Sequence, residues 1–188
     1  MGFALATAAA HRGANVTLIS GPTHLTTPYN VRRINVETAS EMLNAVQKEY
    51  KKSEIIIMSA AVADFTPRDV YSKKIKKDFY SNEEMTIALK QTEDILRFVG
   101  KNKKKNTFLV GFALETDNLI AHGRKKLSEK NLDLIVCNNA FQEGAGFSVE
   151  TNIVTLIDKK GKIISLPCMQ KYDVASEILN HIVQQHND

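Results

Sequence analysis

The chain has 188 residues, of which 43% are hydrophobic and 24% are charged, and its formal net charge is +4. This length is enough for one domain with its own hydrophobic core, and the composition is that of an ordinary globular protein. No apolar run approaches the roughly 20 residues that a membrane-spanning helix needs, which argues against a membrane protein. We therefore treat residues 1–188 as a single domain and expect it in the cytoplasm.

The lysines occur in three clusters, which indicate either a solvated face or a site for an anionic ligand such as a polyphosphate. The clusters are Lys73, Lys74, Lys76 and Lys77; Lys101, Lys103, Lys104 and Lys105; and Lys125, Lys126 and Lys130. The modest net charge and the scarcity of aromatic residues in these clusters argue against a nucleic-acid-binding protein. The two cysteines and five histidines lack metal-ligand spacing, so we expect buried free thiols and no transition-metal site.

Helix and strand patterns alternate along the chain. The predicted helices cover 2–12, a segment from a Thr38–Glu41 capping box to about 52, a segment from a Thr92 cap to about 99, and about 118–130 and 171–184. The predicted strands cover 16–20, 33–36, 54–59, 85–90, 107–112 and 132–137, followed by a hairpin of 151–158 and 162–166. This order predicts an α/β fold: a Rossmann-like three-layer domain with a mostly parallel sheet and a C-terminal antiparallel hairpin.

The first predicted element is a helix, which is unusual for this type of fold. A doubly wound domain normally opens with a strand that leads into a glycine-rich turn and then a helix. Here Met1 and Gly2 look like the end of a phosphate-binding turn. We therefore expect that the domain is incomplete at its N-terminus.

Ligands of open α/β sheets bind at the carboxyl ends of the strands, where four segments should converge. These segments are 59–65, 73–77, 111–116 and 138–139. Asp64 either orders a loop or holds a hydrated magnesium ion, and Lys74 is either solvated or neutralises a triphosphate. Glu115 and Asp117 either cap the next helix or contact the ligand. The sequence has no Walker A motif and no visible catalytic triad.

Taken in order, several segments resemble the phosphopantothenoylcysteine synthetase family over nearly the whole chain. They are MGFALATAAAHRGANVTLISGP, SAAVADFTP, KKIKK, TEDIL, VGFALET and KNLDLIVCNN. In many bacteria this domain is the C-terminal half of a bifunctional flavoprotein. The family has a preceding strand and an Asn-bearing loop, of which only Met1-Gly2 is found here.

The resemblance implies a ligase of coenzyme A biosynthesis. Its substrates are 4'-phosphopantothenate, L-cysteine and CTP (ATP in eukaryotic relatives), with Mg as the cofactor and an acyl-cytidylate as the intermediate. The resemblance also implies a homodimer. The choice between CTP and ATP depends on backbone contacts around Ala60 and Phe112 and stays open.

The resemblance further implies a set of site residues. Lys74 would be catalytic, because it matches the lysine that turns over the acyl-nucleotide. Asp64 would contact the nucleotide or its magnesium ion, directly or indirectly. The start of the helix near Asp94 would supply backbone donors to the nucleotide. The implied nucleotide contacts are Met58, Ser59, Ala60, Asp64, Lys74, Asp94, Ile95, Leu96, Phe112, Lys126 and Lys130.

Two other functions are compatible with the sequence. The first is a nicotinamide-dependent oxidoreductase on the same fold, in which Glu37 after the second strand would supply the expected acidic residue. That function leaves the KKIKK motif without a role. The second is a truncated, non-catalytic subunit that binds a nucleotide but releases no pyrophosphate.

Overall fold

A computed structural model describes residues 1–71, 73–74, 85–115, 117–139 and 149–187, and these residues form an α/β fold. The helices are α1 (Gly2–His11), α2 (Ala39–Glu49), α3 (Ile95–Asn102), α4 (Leu119–Glu129) and α5 (Lys171–Asn187), with a 3-10 turn at Tyr50–Lys52. The strands are β1 (Val16–Ser20), β2 (Val31–Asn35), β3 (Ile55–Met58), β4 (Phe65–Pro67), β5 (Leu89–Gln91), β6 (Phe108–Glu115), β7 (Leu134–Asn139), β8 (Thr151–Asp158) and β9 (Ile163–Gln170).

The main sheet has five strands in the order β3-β6-β7-β8-β9. The first three run parallel, in a register that pairs Met58 with Gly111 and Val110 with Leu134. Strands β8 and β9 form the predicted C-terminal hairpin, which continues the sheet in antiparallel fashion. The apolar run of β3 fits this position, because a parallel strand with helices on both faces needs apolar side chains on both sides.

Strands β1 and β2 form a separate parallel pair rather than part of one continuous sheet. Strand β1 pairs only with β2 and strand β3 only with β6 in the described part of the chain, so no backbone hydrogen bonds join the two sheets. Apolar side chains join them instead. A cluster around Val36, Met42 and Ile95 includes Ile19 of β1 and Met58 of β3.

Two apolar clusters cover the two faces of the main sheet, which confirms the three-layer fold. Alternate residues of β6 point to opposite faces, as the two-residue period of a strand requires. Val110 packs in the cluster that contains α1 and α5, whereas Leu109 packs in the cluster that contains α3 and α4. The residues at the end of β6 are therefore divided between two helix layers.

The capping box of α2 is confirmed. The Thr38 hydroxyl accepts a hydrogen bond from the N–H of Glu41 at 3.1 Å, and the Glu41 carboxylate accepts one from the N–H of Glu37 at 2.7 Å. The acidic residue thus reaches back to the residue that precedes the N-cap.

Four sequence expectations need correction. Helix α3 is capped by Asp94, not Thr92, because the Asp94 carboxylate accepts from the N–H of Arg97 at 2.9 Å while Thr92 bonds to the 63–64 loop. The strand predicted over 85–90 forms only at Leu89–Gln91, where it pairs with the unpredicted β4. Cys168 is exposed, because it lies on β9, an edge strand of the main sheet. The parallel strands lie in two sheets, not one.

In the described part of the chain, no helix has both the length and the apolar character needed to cross a membrane.

Candidate active site

The carboxyl ends of β3 and β6 form one side of the candidate site. Met58 ends β3 opposite Gly111, and β6 continues four residues further to Glu115. The start of α1 approaches the same place, since a Cβ on Gly2 would lie 3.0 Å from the Ser59 hydroxyl oxygen. The small size of Gly2, Ser59 and Ala60 permits this close approach at the end of β3.

The loop that carries Asp64 is held beside the start of α3. The N–H of Thr92 donates to the carbonyl oxygen of Asp64 at 2.9 Å, and the Thr92 hydroxyl donates to that of Ala63 at 2.6 Å. Phe65, the residue after Asp64, begins β4 and lies opposite Gln91 in the antiparallel pair of β4 and β5. The Asp64 side chain is exposed, so it is available to a ligand or a hydrated cation.

The start of α3 combines backbone donors with a charged pair. The first N–H groups of a helix have no partner within the helix, so this end attracts anions. Lys130 Nζ lies 2.9 Å from the Asp94 carboxylate. Burial alone would raise the pKa of Asp94, but the hydrogen bonds from the N–H of Arg97 and from Lys130 outweigh it and lower the pKa. Asp94 is therefore ionised at neutral pH and holds Lys130 beside the exposed end of the helix.

A second ion pair joins α4 to the end of β6. Glu115 is buried, and its carboxylate lies 2.7 Å from Lys126 Nζ and 3.2 Å from His122 Nδ1. His122 and Lys126 are four residues apart and share one face of α4, and Lys130 follows directly after the last residue of the helix. Next to this group the pKa of the Cys137 thiol is raised to about 12 by its burial and by the charge of Glu115.

The structure brings most of the predicted site residues to one region. Met58 shares one apolar cluster with Ile95 and another with Leu96, which brings the end of β3 near the start of α3. The hydrogen bond from the N–H of Thr92 to the Asp64 carbonyl oxygen holds Asp64 near the start of α3. Lys130 forms an ion pair with Asp94, the N-cap of that helix. Lys126 reaches the neighbouring end of β6. Of the four segments expected to converge, 59–65, 111–116 and 138–139 follow or end the adjacent parallel strands β3, β6 and β7, whereas no described contact joins 73–77 to them.

Two predicted residues are placed differently. The half-buried side chain of Phe112 lies on the opposite face of the sheet from Glu115, against the cluster with α1 and α5. Lys74 is exposed, and no polar contact among the described residues joins it to the other site residues. Residues 75–77 of the lysine motif and Thr116 lie outside the described residues.

Sequence reasoning missed His122 and left Glu115 between a helix cap and a ligand contact. The structure pairs the Glu115 carboxylate with Lys126 and His122 of α4, an interaction that the sequence analysis did not propose. The four-residue spacing of His122, Lys126 and Lys130 was the available signal. In addition, the alternation along β6 places Glu115 on the same face as Leu109 and Ala113, the face that α4 covers.

Two open grooves lie away from this region. One of about 510 Å³ lies along β2 and α2, and one of about 590 Å³ lies between the start of α4 and the β8–β9 hairpin. Neither is lined by a predicted nucleotide contact. Among the described residues, no group of three or more His, Cys, Asp or Glu residues is arranged to hold a metal ion.

Comparison with known proteins decides the family. The family described as DNA/pantothenate metabolism flavoprotein C-terminal domain matches residues 1–186. The chain belongs to this family. It is 50% identical over 183 residues to the Coenzyme A biosynthesis bifunctional protein CoaBC of Bacillus subtilis, covering 97% of this chain and 44% of that protein. The family resemblance inferred from the sequence motifs is thereby confirmed.

Two further relatives extend the comparison. A Cysteine/Cysteine sulfinic acid decarboxylase from an unknown prokaryotic organism is 47% identical over 184 residues, covering 97% of this chain and 50% of that protein. The crystal structure of the C-terminal domain of a Coenzyme A biosynthesis bifunctional protein CoaBC has a TM-score of 0.82 and 38% identity, covering all (100%) of this chain and 83% of that one. The chain thus spans about half the length of the curated relatives it matches.

Proposed function

We propose that the chain is a phosphopantothenate–cysteine ligase that uses CTP in coenzyme A biosynthesis. The observation that supports this proposal is that Met58, Asp64, Asp94, Lys126 and Lys130, which belong to the predicted nucleotide contacts, lie near the carboxyl ends of β3 and β6. There the start of α3, Lys126 of α4 and the adjacent Lys130 would provide donors for a polyphosphate. The family resemblance implies the reaction. The positive charges of Lys126 and Lys130 support a site for an anionic nucleotide.

The reaction has two steps. The carboxylate of 4'-phosphopantothenate attacks the α-phosphorus of CTP, which forms an acyl-cytidylate and expels pyrophosphate. The amine of L-cysteine then attacks the acyl carbon, loses a proton and expels CMP, which leaves an amide. A carboxylate resists amine attack until one of its oxygens becomes a good leaving group, and the first step supplies that group.

Both steps bring anions together, so the protein acts mainly through positioning and charge neutralisation. The backbone N–H groups of Ile95 and Leu96 would bind phosphate oxygens at the start of α3. Lys126 and Lys130 would add positive charge from the adjacent helix. Lys74 would neutralise the acyl-nucleotide as its phosphate becomes a leaving group.

The site fits a magnesium ion that arrives with the nucleotide. Magnesium is usually bound by one or two carboxylates together with phosphate oxygens and water, not by a cage of protein ligands. The exposed carboxylate of Asp64 next to the start of α3 suits that role. The ion would supply charge neutralisation of the triphosphate.

A homodimer is part of the proposal. The β4–β5 ribbon, which we define as residues 65–71 and 85–91, has several exposed large apolar side chains. They are Phe65, Val70, Tyr71, Met85, Ile87 and Leu89. A cluster of exposed apolar residues of this kind marks an interaction surface. A second copy of the chain is the occupant that the family resemblance implies.

The alternatives are less well supported. Family membership favours the ligase over a nicotinamide oxidoreductase, which gives no role to the lysine motif. Saturable energy transfer to bound NADH would favour the oxidoreductase. A non-catalytic subunit would bind CTP without pyrophosphate release at any protein concentration.

The decisive experiment is to measure pyrophosphate release from the purified chain with magnesium, CTP and 4'-phosphopantothenate, with and without L-cysteine. The ligase predicts release that requires phosphopantothenate, and amide formation that also requires cysteine, detected by mass spectrometry. Parallel reactions with ATP test the choice of nucleotide. CTP binding without any release would instead identify a non-catalytic nucleotide-binding chain.

A further inference from the structure

Glu115 is a buried carboxylate at the carboxyl end of β6. Its exposed fraction is 8%, and it lies on the face of the strand that α4 covers. A charged group in such a place is costly unless it is paired and hydrogen-bonded. Lys126 Nζ at 2.7 Å and His122 Nδ1 at 3.2 Å meet this requirement from one helix face.

Gly123, between His122 and Lys126 in the sequence, allows α4 to lie close to the sheet. A Cβ on Gly123 would lie 2.8 Å from Ile157 Cδ1 and 2.9 Å from Cys137 Sγ, so α4 lies as close to the sheet as a glycine allows. His122 and Lys126 stand on either side of this contact. The close approach brings both side chains within reach of Glu115.

The same domain contains a half-buried carboxylate, Asp133, whose ion pairs lie far from the predicted nucleotide contacts and serve for comparison. Asp133 lies just before β7, at the amino ends of the parallel strands. Its carboxylate accepts hydrogen bonds from Lys103, from Lys159 and from the N–H of Leu109. The side chain of Lys103 is only 8% exposed, and its ammonium also donates to the carbonyl oxygen of Thr107 at 2.9 Å. This lysine is enclosed by protein acceptors.

Lys126 differs in accessibility and in place. Its side chain is 42% exposed, and it lies at the edge of the sheet that carries the predicted nucleotide contacts. An ammonium group has three donors, and Glu115 is its one recorded partner among the described residues. No other hydrogen-bond partner of the Lys126 ammonium lies in the part of the chain that the structure describes.

We propose that Glu115 is a positioning residue that holds the Lys126 ammonium at the carboxyl edge of the sheet for a phosphate of the bound nucleoside triphosphate. His122 supports the carboxylate from the preceding turn of α4. This inference rests on the proposed function, because it assigns a role within the same nucleotide site. It adds to that function a residue that does not itself touch the substrate.

A competing role for Glu115 makes the opposite prediction. If the carboxylate merely neutralised Lys126, its removal would free the positive charge and tighten nucleotide binding. If it positions Lys126, its removal releases a long side chain with many rotamers, and binding weakens. The direction of the change in KM for CTP therefore separates the two roles.

The test compares Glu115→Gln, Glu115→Asp and Lys126→Met with the control Asp133→Asn. We expect Glu115→Gln to raise KM for CTP by about ten-fold, the effect of one charge-assisted hydrogen bond, with a smaller change in kcat. Glu115→Asp keeps the charge but retracts it by one methylene, so KM should also rise. In the Lys126→Met background, Glu115→Gln should add little, because the pair acts as a unit.

The control variant removes the charge of Asp133. Asp133→Asn should lower the melting temperature and leave KM for CTP unchanged. A lower KM in Glu115→Gln, an unchanged KM in Glu115→Asp, or an equal rise in Asp133→Asn would overturn the positioning role. If the unaltered chain binds no CTP by calorimetry, the proposed function fails first and this inference falls with it. If the Gln variant does not fold, the Asp variant and the Lys126→Met pair still decide the question.

Discussion

A Cβ added to Gly100 would lie 1.9 Å from the backbone carbonyl oxygen of Lys130. Helix α3 and the end of α4 therefore meet at a point where a side chain on α3 has no room. The contact is reinforced by Asn131, whose side-chain amide donates to the carbonyl oxygen of Gly100 at 2.8 Å. From this anchored backbone, the Lys130 side chain reaches the Asp94 carboxylate at the other end of α3.

We predict that Gly100→Ala destabilises the domain and weakens nucleotide binding together. The added methyl group meets backbone rather than a movable side chain, so the helices must separate, at a cost of about 1–3 kcal/mol or more. This cost exceeds the roughly 1 kcal/mol that alanine gains over glycine inside a helix. Urea unfolding and CTP titration check the two effects.

Gly21→Ala is the matched control for Gly100→Ala, because a Cβ at Gly21 meets no atom within 4 Å. Its stability and its CTP affinity should stay close to those of the unaltered chain. Equal behaviour of the two variants would contradict the steric role of Gly100.

Lys74 is the predicted catalytic lysine, and its test is separate. We expect Lys74→Gln to weaken CTP binding or to allow acyl-cytidylate to accumulate, because the lost charge no longer stabilises the leaving phosphate. Lys74→Arg should restore activity only in part, since guanidinium and ammonium groups differ in shape and hydration. Quenched-flow mass spectrometry detects the intermediate. Unchanged CTP affinity together with unchanged turnover would remove Lys74 from the site.

The sequence predicted the fold where local patterns decide it. The apolar run of β3 and the alternation around Lys160-Gly161 correctly gave a parallel strand and the terminal hairpin. It failed where tertiary contacts decide. Thr92 has the chemistry of an N-cap, but the loop around Ala63 and Asp64 uses both its donors, and Asp94 caps the helix instead.

The candidate site was predicted in part for the same reason. The motifs located the ends of β3 and β6 and the start of α3. They did not predict the partners of Glu115, because an ion pair between a strand end and a helix depends on how close the helix lies. The distance between α4 and the sheet depends on the close approach of Gly123 to Cys137 and Ile157.

The β4–β5 ribbon allows a test of the proposed homodimer. Val70 is 89% exposed, and Val70→Lys places a charge among the apolar side chains of the ribbon. We expect this variant to dissociate the dimer, because burying an unpaired lysine in an interface is costly. Light scattering after size-exclusion chromatography measures the mass. Val183→Lys on α5, also an exposed valine, is the control and should leave the mass unchanged.

Asp133 predicts a pH dependence of stability. Burial would raise the pKa of its carboxyl group, but hydrogen bonds from Lys103, the Leu109 N–H and Lys159 outweigh burial and lower it. A lowered folded-state pKa gives stability that is present above the unfolded-state pKa of about 4 and is lost as pH falls through the folded-state value.

We therefore expect Asp133→Asn to lower the free energy of unfolding by about 1.5–3 kcal/mol at pH 7, the range for hydrogen bonds to charged groups. The difference from the unaltered chain should shrink as pH falls below about 4, where the unfolded-state carboxyl becomes protonated, and should vanish below the lower pKa of the folded state. Urea unfolding across this range measures it. A difference that is independent of pH would show that the charge of Asp133 contributes nothing.

The two cysteines should differ sharply in reactivity. Cys137 is fully buried beneath α4, and burial, followed by the charge of Glu115, raises the pKa of its thiol to about 12. Only the thiolate reacts with disulfide reagents, so at about pH 8 very little Cys137 is in the reactive form. Cys168 is exposed on β9. We expect dithiobis-nitrobenzoate to modify one thiol rapidly in the native chain and both in denaturant. Cys168→Ser should abolish the rapid phase, and a rapid phase that persisted in this variant would show that α4 does not shield Cys137.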